Sequence, residues 1–186
     1  MLEKIKSPAD LKTMSQAELE QVVLEARQAL LEKISQHGGH NGPNFGVVEM
    51  TVALHYVFNS PVDKFIFDVS HQCYPHKMLT GRAGAYVRAA EYGDVSGFTN
   101  TDESAHDFFN IGHTATGISL ASGLAKARDL AGGTENVVVV IGDGALSGGE
   151  AFEGLNVIGE MGTNFIIVLN DNDQSISENH GGMYRK

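Results

Sequence analysis

The chain has 186 residues, 42% apolar and 19% charged, which suits one folded domain with a real core and excludes a disordered chain. Its formal net charge of −10 argues against nucleic acid and anionic membrane as partners, because both are polyanions. The same charge sets a constraint: any phosphate bound here has to be held by backbone N–H groups, helix ends or a metal, since basic side chains are scarce.

In chain order, Ser7-Pro8-Ala9-Asp10 and Ser15-Gln16-Ala17-Glu18 each pair a serine cap with an acid three residues on, the signature of a helix start. After the second, Leu19, Val22, Val23, Ala26 and Leu30 fall on one face of a helix that should close at His37-Gly38-Gly39. His40 to Asn44 reads as a loop, and 45–58 as a buried helix, apolar nearly all round. Residues 64–69 (KFIFDV) form a β-rich run whose exit is Asp68-Val69-Ser70-His71-Gln72. Residues 80–111, rich in glycine and polar side chains, read as a long functional loop.

Gly112-His113-Thr114-Ala115-Thr116 leads into a helix over 117–130, in which Ala121, Gly123 and Ala125 would allow close packing on a sheet. Val137 to Ile141 is a fully buried parallel-type strand ended by Gly142-Asp143-Gly144. A helix over 150–161 follows, with Phe152, Leu155 and Ile158 expected inward, then a second buried strand over 165–169 and the turn Asn170-Asp171-Asn172-Asp173. Strands alternating with helices predict an α/β fold, a doubly wound and mostly parallel sheet flanked by helices. Three strands are few for such a fold. The sequence stops at Lys186 soon after a motif, so residues 1–186 are expected to be the first domain of a longer protein.

The chemistry concentrates in two turns. In a parallel sheet both Gly142-Asp143-Gly144 and Asn170-Asp171-Asn172 leave the carboxyl ends of strands, where ligands bind. If those strands are neighbours, the Asp143 carboxylate and the Asn172 amide oxygen converge on one point. That is a hard oxygen set suited to Mg²⁺, which takes few protein ligands and completes its shell with phosphate oxygens and water. Gly144 would let the backbone approach a ligand closely. Each turn alone is a common strand exit; the pair, with a helix between, resembles the fingerprint of thiamine-diphosphate enzymes.

The resemblance extends over almost the whole chain. Gly38-Gly39-His40, residues 47–58 (VVEMTVALHYVF), Asp68-Val69-Ser70-His71-Gln72, residues 74–82 (YPHKMLTGR) and 169–179 (LNDNDQSISEN) resemble the 1-deoxy-D-xylulose-5-phosphate synthases, within the wider transketolase-like group. The resemblance implies the diphosphate-binding domain of a transferase that condenses pyruvate with glyceraldehyde 3-phosphate and releases CO₂. The product, 1-deoxy-D-xylulose 5-phosphate, feeds isoprenoid, thiamine and pyridoxal synthesis. It implies thiamine diphosphate and Mg²⁺ as cofactors, with Asp143, Asn172 and a backbone carbonyl near Gln174 on the metal. Gly144, Ala145, Asn172, Gly112, His113, Thr114 and His71 would contact the cofactor, and His40 would face the substrate, so that His40 and His71 serve the reacting end. It also implies a homodimer, and further domains carrying the glutamate that activates the aminopyrimidine and the arginines for the substrate phosphate. Residues 1–186 alone are then expected to be catalytically silent.

The residues themselves leave alternatives. His71, at a strand exit, could reach a ligand or be satisfied by a loop carbonyl; His40 could be part of a helix stop; His55, in an apolar helix, reads as a core residue. His71, Cys73 and His76 fit no standard zinc spacing, and a single cysteine excludes an internal disulfide. Gly142 to Gly148 has its third glycine one place late for a dinucleotide fingerprint, and Asp143 would repel a bare pyrophosphate. Gly112-His113-Thr114-Ala115-Thr116-Gly117 and Gly97-Phe98-Thr99 depart from the family's Gly-His-Ser-Ser-Thr-Ser and Gly-Phe-Pro, which admits a transketolase-like paralogue with another sugar. A non-catalytic subunit that binds a partner chain is the other alternative. The polar Met1-Leu2-Glu3-Lys4 start has no apolar stretch behind it and no run reaches the roughly 18 residues of a membrane span. The expected location is therefore the cytoplasm.

Overall fold

The computed structural model describes residues 1–172 and 174–184. They form two compact units, one of Met1–Pro61 with His71–Asn110, the other of Val62–Ser70 with the chain from Ile111 onward.

The first unit is helical. Helix α1 (Gln16–His37) begins at the expected capping box: the Glu18 carboxylate accepts the Ser15 N–H at 2.8 Å, and Gly38 closes the helix at φ +85°. Its buried face is Val22, Ala26, Ala29, Leu30 and, unexpectedly, Lys33. The Lys33 ammonium donates to the Ala85 carbonyl at 2.9 Å and lies 4.2 Å from the Tyr86 ring centre, so the aromatic face replaces much of the lost water. The first capping box, at Ser7, starts only the 3₁₀ segment Pro8–Thr13.

The helix expected over 45–58 is shorter. A single turn, Gly42–Phe45, precedes α2 (Val48–Val57), which buries only Val48, Thr51, Val52 and His55. Val57 is 65% exposed, so this helix has one inward face rather than an apolar surround. Residues 80–111 are mostly irregular, with one-turn helices at Gly84–Val87 and Ala89–Glu91.

The second unit holds a three-stranded parallel sheet in the order β1 (Lys64–Phe67), β2 (Val137–Gly142), β3 (Ile166–Asn170). This is the α/β architecture expected, among the described residues. Helix α3 (Gly117–Ala131) packs on β1 and β2, and α4 (Gly149–Met161) packs on α3. Strand β2 lies between two neighbours and Val137–Ile141 are all fully buried. Among the described residues strand β3 pairs on one side only; it alternates, and Leu169 is 46% exposed, so it is not the buried strand its composition suggests.

Two packing expectations are corrected. Gly123 faces open space, whereas Ala121 and Ala125 are buried as foreseen. Phe152 is 43% exposed, and α4 turns Ala151 and Gly154 inward instead; a Cβ on Gly154 would lie 2.9 Å from the Ile118 methyl. The helix pair is close because these positions are small, and a large side chain there has no room. Among the described residues, no helix is long and apolar enough to cross a membrane.

Candidate functional site

In the second unit the two turns leave neighbouring strands, as the convergence argument requires. Gly142 is in register with Asn170 across the β2–β3 ladder, so both motifs exit at the same level. Asp143 opens a one-turn helix (Asp143–Leu146) and is 4% exposed. Its carboxylate oxygen Oδ2 accepts the Asn179 side-chain amide, and its carbonyl accepts the Tyr184 hydroxyl. Asn172 is exposed, and its side-chain oxygen accepts the Gln174 N–H at 3.2 Å. That oxygen keeps a second lone pair, so the turn does not remove it as a ligand. Asp173 lies outside the described residues. Gly144 is needed for an internal reason as well: a Cβ there would come within 2.9 Å of Ser175.

A carboxylate and an amide oxygen on adjacent strand ends fit a hard divalent cation. No lysine or arginine occurs between Arg128 and Arg185, so a diphosphate at these turns has no basic side chain from that stretch to hold it. A divalent cation there would supply the missing positive charge.

Gly112, His113 and Thr114 are exposed, and His113 Nδ1 is 2.8 Å from the Thr114 carbonyl. They precede α3 by several residues rather than capping it. The N–H groups of Ala115 and Gly117, at the start of that helix, are taken by the Asp68 carboxylate at 3.0 and 2.7 Å. Burial raises the Asp68 carboxyl, and those N–H bonds oppose the shift.

In the first unit His40 and His71 do come together, with ring centres 5.6 Å apart and edge to face. His40 also meets Phe98 at 5.1 Å, and its Nδ1 is 3.1 Å from the Tyr74 hydroxyl. Burial holds both imidazoles below their usual range; for His71 the nearby His40 adds to the effect. Both are thus neutral near pH 7 and can donate or accept a proton. His71 Nδ1 is buried without a hydrogen-bond partner among the described residues. Asn44 was not foreseen. Fully buried, it donates to the carbonyls of His40 (2.7 Å) and His71 (2.8 Å) and accepts the Tyr74 N–H (2.9 Å). One amide therefore sets the backbone under both histidines.

A second histidine cluster was also missed. His55 Nε2 is 2.9 Å from His76 Nδ1, and His76 Nε2 is 3.0 Å from Asp107. Arg82 clamps Asp107 with both guanidinium arms, at 2.7 and 2.9 Å, and Glu103 accepts from Lys77 at 2.6 Å. Burial alone would raise the Asp107 carboxyl, but Arg82 and His76 hold it well below the usual range. Cys73 is pushed up to about 12 by burial, which removes it as a thiolate nucleophile.

The family model for 1-deoxy-D-xylulose-5-phosphate synthase matches residues 2–186. The chain belongs to the 1-deoxy-D-xylulose-5-phosphate synthase family. It is 53% identical to the synthase of Halalkalibacterium halodurans over 98% of this chain and 29% of that protein. Identity to the Chlorobaculum tepidum synthase is 51%, with the same coverage. Identity to the Desulforudis audaxviator synthase is 49%, over 100% of this chain and 29% of that one. The chain thus spans less than a third of the length of these curated relatives.

Proposed function

We propose that this chain supplies the diphosphate-and-Mg²⁺ end of a thiamine-diphosphate site. The enzyme concerned would condense pyruvate with glyceraldehyde 3-phosphate to 1-deoxy-D-xylulose 5-phosphate, with loss of CO₂. The observation that carries the reading is the register of Gly142 with Asn170, which sets Asp143 and Asn172 at adjacent strand ends in a family member. Asp143, Asn172 and the Gln174 carbonyl would hold the metal. Gly112, His113, Thr114, Gly144, Ala145, Asn172 and His71 would hold the cofactor, through exposed backbone where a side chain would block approach. The cofactor, when bound, supplies the electron sink for breaking and making carbon–carbon bonds. His40 and His71, held neutral, would pass protons and hydrogen bonds at the reacting end. The glutamate that activates the aminopyrimidine and the groups binding the substrate phosphate would come from chain beyond these residues, in a cytoplasmic homodimer.

The test is titration calorimetry with thiamine diphosphate on the complete enzyme. Replacing Asp143 with alanine should weaken Mg²⁺-dependent binding by at least about 100-fold, the upper range for disturbed metal shells, with circular dichroism unchanged. Equal affinity in the variant would remove the metal reading.

A further inference from the structure

Asp68 follows β1 directly and still donates its own N–H to Val140 at 2.8 Å, so it is anchored in the sheet. Its side chain is fully buried, and both oxygens are used: Oδ2 accepts Ala115 N–H at 3.0 Å and Oδ1 accepts Gly117 N–H at 2.7 Å. Two residues on, the Ser70 hydroxyl donates to the Ile111 carbonyl at 3.0 Å. These two attachments bracket Gly112-His113-Thr114 from either side. Inside the bracket, Thr116 Oγ1 donates to the His113 carbonyl at 3.1 Å.

The backbone is strained where the bracket is fastened. Val69 (φ +58°), Ser70 (φ +67°) and Ala115 (φ +69°) all adopt left-handed conformations without being glycine. For a β-branched residue such as Val69 that conformation is an outlier, held only because the surroundings over-determine it. Gly117 is glycine for the same contact. A Cβ there would stand 3.0 Å from Asp68 Cα, Cβ and Oδ1, so no larger residue lets the helix start approach the carboxylate. Gly148, just before α4, leaves room for Ala115, whose Cβ would lie 2.4 Å from an added one.

We infer that Asp68, seconded by Ser70, is a positioning residue that sets the Gly112-His113-Thr114 turn in the shape that receives the cofactor, without itself touching it. This rests on the proposed thiamine-diphosphate site. Its own observable is the order of one turn. Strand β1 carries a built-in control. Asp63, buried at the opposite end, accepts the Asn136 backbone N–H at 2.7 Å and its side-chain amide at 2.9 Å. It makes the same kind of bond at the end of the strand away from the two motifs.

The experiment compares Asp68→Asn, Ser70→Ala and Asp63→Asn in the complete enzyme. Two readouts are taken: amide hydrogen exchange at residues 112–117 without cofactor, and the dissociation constant for thiamine diphosphate with Mg²⁺. Asp68→Asn should speed exchange at Ala115 and Gly117 at least tenfold and weaken binding by about 10–100-fold. Ser70→Ala should shift both the same way by less, and decides the matter if Asp68→Asn does not fold. Asp63→Asn should lower the unfolding midpoint yet leave both readouts within twofold. Unchanged affinity in both Asp68→Asn and Ser70→Ala, or an equal loss in Asp63→Asn, overturns the positioning role. Wild-type protein that binds no thiamine diphosphate overturns the functional reading itself, and this role with it.

Discussion

The first unit contains two pairs of histidines built from the same side chain for opposite ends. His55 and His76 are wholly buried, stack with ring centres 5.0 Å apart, and pass into Asp107 and Arg82. His40 and His71 are only partly buried; they meet edge to face beside Tyr74 and Phe98, and one His71 nitrogen lacks a partner among the described residues. Both pairs are held neutral by burial. A depressed pKa therefore does not distinguish the histidines proposed to work from the structural ones here. What differs is exposure and the ion pair: His76 ends on the buried Asp107 carboxylate, whereas His40 and His71 stay partly exposed beside Tyr74 and Phe98.

The widest separation should come from Asp107→Ala. Removing Asp107 takes the two-armed carboxylate partner from Arg82 and leaves it the longer Glu103 contact at 3.2 Å, at a cost of about 3 kcal/mol, the lower end for a broken buried pair. Urea unfolding should read this as a lower midpoint, with cofactor affinity of the folded fraction unchanged. A loss under about 1 kcal/mol would mean that the buried chain is not the structural partner in the comparison.

His40→Ala and His71→Ala should behave in reverse. The expected result is a kcat lower by about 100-fold, the lower range for a proton-transfer group, with a smaller change in cofactor affinity and little change in unfolding midpoint. Steady-state kinetics on the complete enzyme separates these. If His40→Ala leaves kcat and KM untouched, His40 is a helix-stop residue and the comparison collapses to one working histidine.

The smallest effect is in pH. His106, hydrogen-bonded to Ser60 at 2.8 Å and near His76, is lowered from 6.5 to about 4, first by burial and then by the electrostatics of neighbouring His76 and the Arg82 cation. The unfolded chain takes up this proton more readily than the folded one. The stabilisation is therefore complete above pH 6.5 and is lost as pH falls through about 4. Because the ring is partly exposed, the slope should be at most about 1 kcal/mol per pH unit. Unfolding free energies between pH 7 and 4 should show a shallower slope for His106→Asn. An identical slope would assign the acid sensitivity to the other histidines lowered by burial, His40, His55, His71 and His76.

Much of the site was legible before any fold was known, because its signals are local. The Ser15–Glu18 box, the Gly38 stop, the valine run of β2 and the two acidic turns each depend on residues a few places apart. Asn44 was unreadable for the converse reason. It joins His40 to His71, and His71 lies 27 residues from Asn44, a distance that nothing in a loop asparagine declares. Phe152 misled for a related reason: helical spacing gives a face, but which face meets α3 depends on the room that Ala151 and Gly154 leave.

By itself, then, the sequence determined the alternation of strands and helices, the glycine-flanked acid and amide at the ends of two strands, and membership of the family. Hydrophobic period, capping and turn chemistry act within a few residues and leave marks that can be read in line. Only the tertiary structure decided that β3 pairs on one side, that Lys33 is buried over Tyr86, and that His76 ends on Asp107. It also decided that Asp68 reaches across 47 residues to Ala115. A buried charge must find its partner in space, and the chain between the two partners records neither its direction nor its distance.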